Sequence, residues 1–165
     1  MNEADEKALS DWYQDHMRGV AALSDEQLQL MIRLLDGDIQ ETCMILEICR
    51  EKPIGDMRLL PYFEAYLEDR RPCILGAPTE YGEVRWLAAE ALAAERQELG
   101  IGEYVMLKGA VRPLGIVELY RLAQSAGIDT SLEPLEVLSL LIEQGSAPTV
   151  NKAFPFPARL RKKDK

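Results

Sequence analysis

The stretch Glu83–Leu99 constrains this chain more than any other. Val84, Leu87, Ala88, Ala91 and Leu92 recur at spacings of three and four, which places them on one face of an α-helix. Ala89, Ala93 and Ala94 add a second, smooth side that lets another helix approach closely, and Gly100 and Gly102 end the segment. A helix that is apolar on two sides needs packing partners on both. The expected fold class is therefore all-α, with helices stacked on helices.

The rest of the chain supplies partners. A helix is expected over about 3–19, with Ala8, Trp12 and Tyr13 at helical spacing and acidic residues crowding its first turn. Ser24 opens the next with Gln27 three residues on, a capping-box spacing, and Leu28, Met31, Ile32 and Leu35 follow on one face. After the turn Asp36-Gly37-Asp38, Asp38 is placed to cap a helix over about 39–51 that ends before Pro53 and Gly55. Met57–Asp69 reads as a helix that Pro61 should kink. Arg70 to Gly82 breaks all periodicity and reads as a loop. Tyr104–Leu107 is short and β-leaning, an extended arm that could pair with Cys73–Leu75. Helices over about 115–126 and from an Ser131 cap to Gln144 complete the body. The expected total is about seven.

These helices come in pairs. Asp38-Ile39-Gln40 begins one second helix and Glu83-Val84-Arg85 begins another 45 residues later; Leu135 lies in a third, 51 residues after Val84. Helix pairs repeating every 40–47 residues mark stacked arrays. The segment Leu59–Asp69, with Pro61 in its first helix, followed by the Val84-Arg85 start of the Ala-rich helix, resembles a HEAT repeat of the armadillo-type helical-hairpin class. Leu34–Gln40 is a weaker copy. The resemblance spans roughly 28–144 and is specific over 57–99. It implies three stacked HEAT-like hairpins behind an N-terminal helix, interrupted by a long inserted loop of thirteen residues, 70–82. It also implies that Arg85 is an inter-helix-turn arginine paired with an acidic residue, Asp69, Asp36 or Asp38.

With 165 residues the chain is read as one helical-repeat domain, 1–150, and a basic extended C-terminal tail, 151–165. The tail carries a net +5, which leaves −14 of the overall −9 on the first 150 residues. So acidic a body repels phosphate backbones, and nucleic-acid binding by it is not expected. The tail is expected to be dispensable for folding. Phe154 and Phe156, alternating with Pro155 and Pro157, are either a docking strip or pack back on the last helix. Apolar runs are too short to span a membrane. The acidic opening carries no secretory pattern and the cysteines are three, so reduced thiols in a cytoplasmic protein are expected.

Catalytic signals are missing. There is no GxSxG, GxGxxG or GxxxxGK[ST], no CxxC, and a single histidine, so neither an enzyme nor a metal or other cofactor is expected. The carboxylate pairs Glu64/Glu68 and Glu95/Glu98 read as solvated faces, and His16 beside Asp15 diverges from it on a helix. What remains is a surface. Long loops inside compact arrays are often functional. Arg70, Arg71 and Tyr81 lie in this one, next to Arg85 and Trp86, and Trp, Tyr and Arg dominate interface energetics. Trp86 is either covered by the loop or an exposed anchor. These five residues are the candidate binding site of a non-catalytic protein-binding module, a small adaptor or scaffold. The alternative is an acidic immunity or antitoxin protein that neutralises a toxin.

Overall fold

The computed structural model describes residues 1–19, 22–76, 78–102 and 104–154. In chain order these form α1 (Glu3–Met17), α2 (Asp25–Leu35), α3 (Ile39–Glu51), α4 (Leu60–Ala65), β1 (Pro72–Ile74), β2 (Tyr81–Glu83), α5 (Val84–Leu99), β3 (Val105–Val111), α6 (Ile116–Ser125), α7 (Pro134–Glu143) and β4 (Thr149–Phe154). Short 3₁₀ turns, Met57–Leu59 and Tyr66–Glu68, flank α4. Among the described residues no helix is long and apolar enough to cross a membrane.

Helix α5 is the axle of the molecule. Both of its sides are buried: Val84, Leu87, Ala88, Ala91 and Leu92 on one, Ala89, Ala93 and Ala94 on the other. It packs against α3, α4, β3 and β4. Methyl side chains keep its surface smooth, so these neighbours come close without leaving voids. Helices α2 and α3 begin as their sequences dictate. Ser24 and Gln27, and then Asp38 and Glu41, form reciprocal capping boxes that satisfy backbone N–H groups. One apolar core joins α1–α5 with β1, β3 and β4, and a second is built from α6 and α7 with Tyr81, Val111 and Leu114.

The all-α expectation is overturned, and the three stacked hairpins with it. The protein is a mixed α/β fold, in which two antiparallel two-stranded sheets fill the gaps between helices. The expected loop 70–82 is largely a hairpin, with Pro72 opposite Glu83, Cys73 opposite Gly82 and Ile74 opposite Tyr81. Cys73, Leu75, Tyr81 and Gly82 are buried in it, and backbone polar groups taken out of water must find partners, which the ladder supplies. Gly82 makes room there: a Cβ would lie 2.6 Å from a methyl of buried Leu75, which would have to shift. The arm at 104–107 is extended, but it pairs with β4 rather than with 73–75. The register runs from Val105 opposite Phe154 to Val111 opposite Thr149, with an irregularity between Leu107 and Ala110. There Gly109 takes a positive φ of 61°, which the bulged backbone demands.

Three local expectations also change. The long helix at 57–69 is broken up. Pro61 lacks an N–H and its ring blocks the carbonyl one turn back, so α-geometry starts only at Leu60 and the proline sits in the first turn. Ser131 does not cap α7. It donates its hydroxyl to Asp129 at 2.8 Å, and Glu133 occupies the cap position without a side-chain bond. Asn151–Phe154, assigned to the tail, complete β4, and Phe154 is buried. Phe156, Pro155, Pro157 and the basic residues of the tail lie outside the described residues.

Candidate binding site

The hairpin β1–β2 ends where α5 begins, and Glu83 stands at that junction. Its side chain is fully buried. Three donors surround it. Arg85 Nε reaches Oε1 at 3.0 Å, Arg70 Nε reaches Oε2 at 2.8 Å, and the Val111 backbone N–H donates to Oε1 at 2.7 Å. One carboxylate therefore joins the entry of β1, the first turn of α5 and the end of β3. Burying a carboxylate is costly unless it is paired and hydrogen-bonded, and here both conditions are met.

Arg85 is only 11% exposed and does more than balance charge. Its terminal nitrogens donate to the carbonyls of Lys108 at 3.3 Å and Gly109 at 2.5 Å, both in the bulge of β3. Asn151 Oδ1 accepts from the Gly109 N–H at 2.9 Å and ties the same bulge to β4. The resemblance-based partners of Arg85 are corrected by this geometry. Its acidic partner is Glu83; Asp69 receives only the Arg85 backbone N–H, through its carbonyl, at 2.9 Å.

Beside this knot lies a cleft of about 580 Å³ lined by Leu67, Glu68, Arg70, Arg85, Met106, Leu107 and Lys108. Arg70 is 52% exposed and spends its Nε on Glu83, while its terminal nitrogens make no hydrogen bond among the described residues. Lys108 is exposed and has no ion pair among the described residues. Met106 is 53% exposed. The cleft thus combines two available cations with the carboxylate of Glu68 and the apolar side chains of Leu67, Met106 and Leu107, on a body whose first 150 residues carry −14.

Of the five residues expected to share a site, the cleft unites Arg70 and Arg85. Arg71 is held by Asp69, Nη2 to Oδ2 at 2.7 Å, and its charge acts on Cys43 of α3. Tyr81 is buried in the second core, its backbone paired both ways with Leu114 at 2.8 and 2.9 Å. Trp86 is half-buried and meets Phe154 edge-on, ring centroids 4.9 Å apart. Its cover is thus β4 rather than the loop.

Sequence reasoning passed over Leu67, Glu83, Met106 and Lys108. A signal existed for two of them. Val105 and Leu107 are buried while Met106 and Lys108 are exposed, the alternation of a half-buried strand. No local signal marks Glu83, since its burial depends on Arg70 and Val111.

The carboxylates read as solvated divide. Glu64 and Glu68 are exposed, but Glu95 is fully buried and accepts from the N–H groups of Ile54 at 2.5 Å and Gly55 at 2.7 Å. Burial pushes its carboxyl up to about 7 against the pull of those donors. His16 is also buried, stacked on Trp12 with its Nε2 2.7 Å from the Lys52 carbonyl. Neither residue lines the cleft.

No protein-family model, curated protein or solved structure matches this chain.

Proposed function

We propose that this protein is a non-catalytic, cytoplasmic protein-binding module that takes an acidic segment of a partner in the Arg70/Lys108 cleft. The observation that carries the reading is the arrangement at Glu83. Two arginines converge on one carboxylate, so the cleft keeps a positive charge, and Arg70 is half-exposed with its terminal nitrogens making no hydrogen bond among the described residues. A guanidinium fork matches a carboxylate in two parallel hydrogen bonds. Exposed Met106 and half-buried Leu67 supply adaptable apolar contact beside it. An acidic body around a basic cleft favours approach in one orientation, which fits recognition rather than general attraction to polyanions. For the segment around α2–α5, kinship with HEAT-type hairpins is part of the same reading, supported by the capped α2/α3 pair and the proline-led α4 preceding α5.

The test is titration of a fluorescent glutamate-rich peptide against the full chain, followed by anisotropy. Binding is expected to weaken about tenfold in Arg70→Ala and further in the Arg70→Ala/Lys108→Ala double variant, consistent with hot-spot losses of about 1–2 kcal/mol. Arg71→Ala should bind as the parent does. Unchanged affinity in a folded double variant rejects the cleft.

A second reading, an acidic inhibitor of a basic toxin, draws on a different cleft. Between α1 and α2 a cleft of about 700 Å³ is lined by Asp5, Asp11, Asp15, Asp25 and Glu26, with Trp12 and Leu30 among its walls. Preference for a lysine-rich peptide, lost in Asp11→Asn/Asp15→Asn and indifferent to Arg70→Ala, would favour it.

A further inference from the structure

Cys43 and Cys73 come from elements that are separate in sequence and meet in one groove. Cys43 lies on the second turn of α3, half-buried, and Cys73 is the central residue of β1, 4% exposed. Both line a cleft of about 260 Å³ whose walls include Ile39, Met44, Ile74 and Leu135. The two thiols face each other closely enough that each alters the other's proton affinity. The third cysteine, Cys49, is fully buried in the main core and does not line this groove. We infer that Cys43 and Cys73 form a peroxide-reactive dithiol site, in which Cys43 attacks a hydroperoxide and Cys73 resolves the product to a disulfide.

The environment separates the two roles. A reactive thiol is partly exposed and stabilised as thiolate by a neighbouring donor or cation. Cys43 meets these conditions: it is half-buried, and the Cys73 thiol beside it, helped by the Arg71 guanidinium, holds its proton affinity below the ordinary value against the opposing effects of burial, Asp69 and Glu47. The Cys43 sulfur beside it and burial both push the Cys73 thiol upward, and at 4% exposure it lies behind the half-buried Cys43, so Cys43 is the thiol that an entering oxidant reaches first. The groove's apolar walls keep the reaction in a site that admits a small oxidant.

The chemistry balances with hydrogen peroxide as oxidant. The Cys43 thiolate attacks one peroxide oxygen: an S–O bond forms, the O–O bond breaks, and the leaving hydroxide takes a proton to become water. Cys43 is then a sulfenic acid. Cys73 sulfur attacks the Cys43 sulfur: an S–S bond forms, the S–O bond breaks, and the departing hydroxide leaves with the Cys73 proton as a second water. Two electrons pass from the thiols to the peroxide. The resulting bond would tie β1 to α3 across 30 residues of chain. It makes no use of the Arg70/Lys108 cleft and stands apart from the reading of that cleft.

The experiment uses the full reduced chain, treated with one equivalent of hydrogen peroxide and digested without reductant. A linked Cys43–Cys73 peptide pair, lighter by two hydrogens than its components, with Cys49 still alkylatable, is the expected product. In Cys73→Ser the reaction should stop at the sulfenic acid, and dimedone should label Cys43 at least tenfold faster than Cys49. In urea Cys43 and Cys49 of this variant should lose that difference. The wild-type measurement does not depend on any variant folding. Absence of the linked pair, a linkage that includes Cys49, or dimedone labelling of Cys43 no faster than in urea would overturn the assignment.

Discussion

Replacing Glu83 with alanine should be among the most damaging single changes in this protein. The side chain is fully buried and serves three donors. Removing it leaves Arg85, itself 11% exposed, with two bulge carbonyls and no counter-charge, and it leaves the Val111 N–H without its acceptor. Breaking one side of a buried ion pair costs about 3–5 kcal/mol. An orphaned buried N–H costs about 1–3 kcal/mol. The same oxygen, Oε1, serves both Arg85 and Val111, so the two losses overlap, and about 4 kcal/mol is the expected total. Arg70 adds little, because it is half-exposed and water can replace the carboxylate. For a domain of this length each kcal/mol moves the midpoint by about 2–4 °C, so thermal unfolding followed by circular dichroism should fall by roughly 10–15 °C. Glu83→Gln keeps the shape and one acceptor oxygen for Val111 and should lose about half as much. The double variant Glu83→Ala/Arg85→Met should recover part of the loss, since it removes the stranded cation. A Glu83→Ala midpoint within about 3 °C of the parent would refute the reasoning. It would show that the bulge carbonyls and solvent satisfy Arg85 by themselves.

Other outcomes follow from the same structure. Glu95 is raised in the folded chain from 4.5 to about 7, so folding favours its protonated form. Its contribution is complete below about 4.5 and is lost as pH rises towards 7, and the wild-type minus Glu95→Gln stability difference should fall across that window and be flat above it; a difference that is constant from pH 4.5 to 8 contradicts the desolvation argument. Truncation after Val150 should lower the melting midpoint sharply, by several degrees at least, because it removes Phe154 from Trp86 and unpairs Val105–Leu107; a midpoint equal to the parent's would mean that β4 contributes nothing. Ala88→Arg places a charge where exposure is zero and should abolish cooperative unfolding at 25 °C, checked by near-ultraviolet circular dichroism; a native spectrum would misplace the inner stripe of α5.

The chain's helices were largely readable because their causes are local. Ser24 and Gln27, or Asp38 and Glu41, lie within one turn of each other, and the Val84–Leu92 stripe repeats inside α5, so neighbouring residues suffice to recognise them. Pro61 was equally visible; what its position did to the helix depended on where the first turn began. The strand pairings escaped for a different reason, although the extended arm at 104–107 was legible. Three residues in β1 and three in β2 hold too little alternation to mark a hairpin, and β3 finds its partner about forty residues onward, past α6 and α7. The site followed the same division. Arg70 and Arg85 could be named as residue types apt for recognition. That they converge on Glu83, that Arg71 and Tyr81 turn elsewhere, and that Met106 and Lys108 complete the cleft was decided by tertiary packing alone. Hydrophobic period and capping are properties of adjacent residues. The burial of a charge is a property of whatever the rest of the fold brings against it.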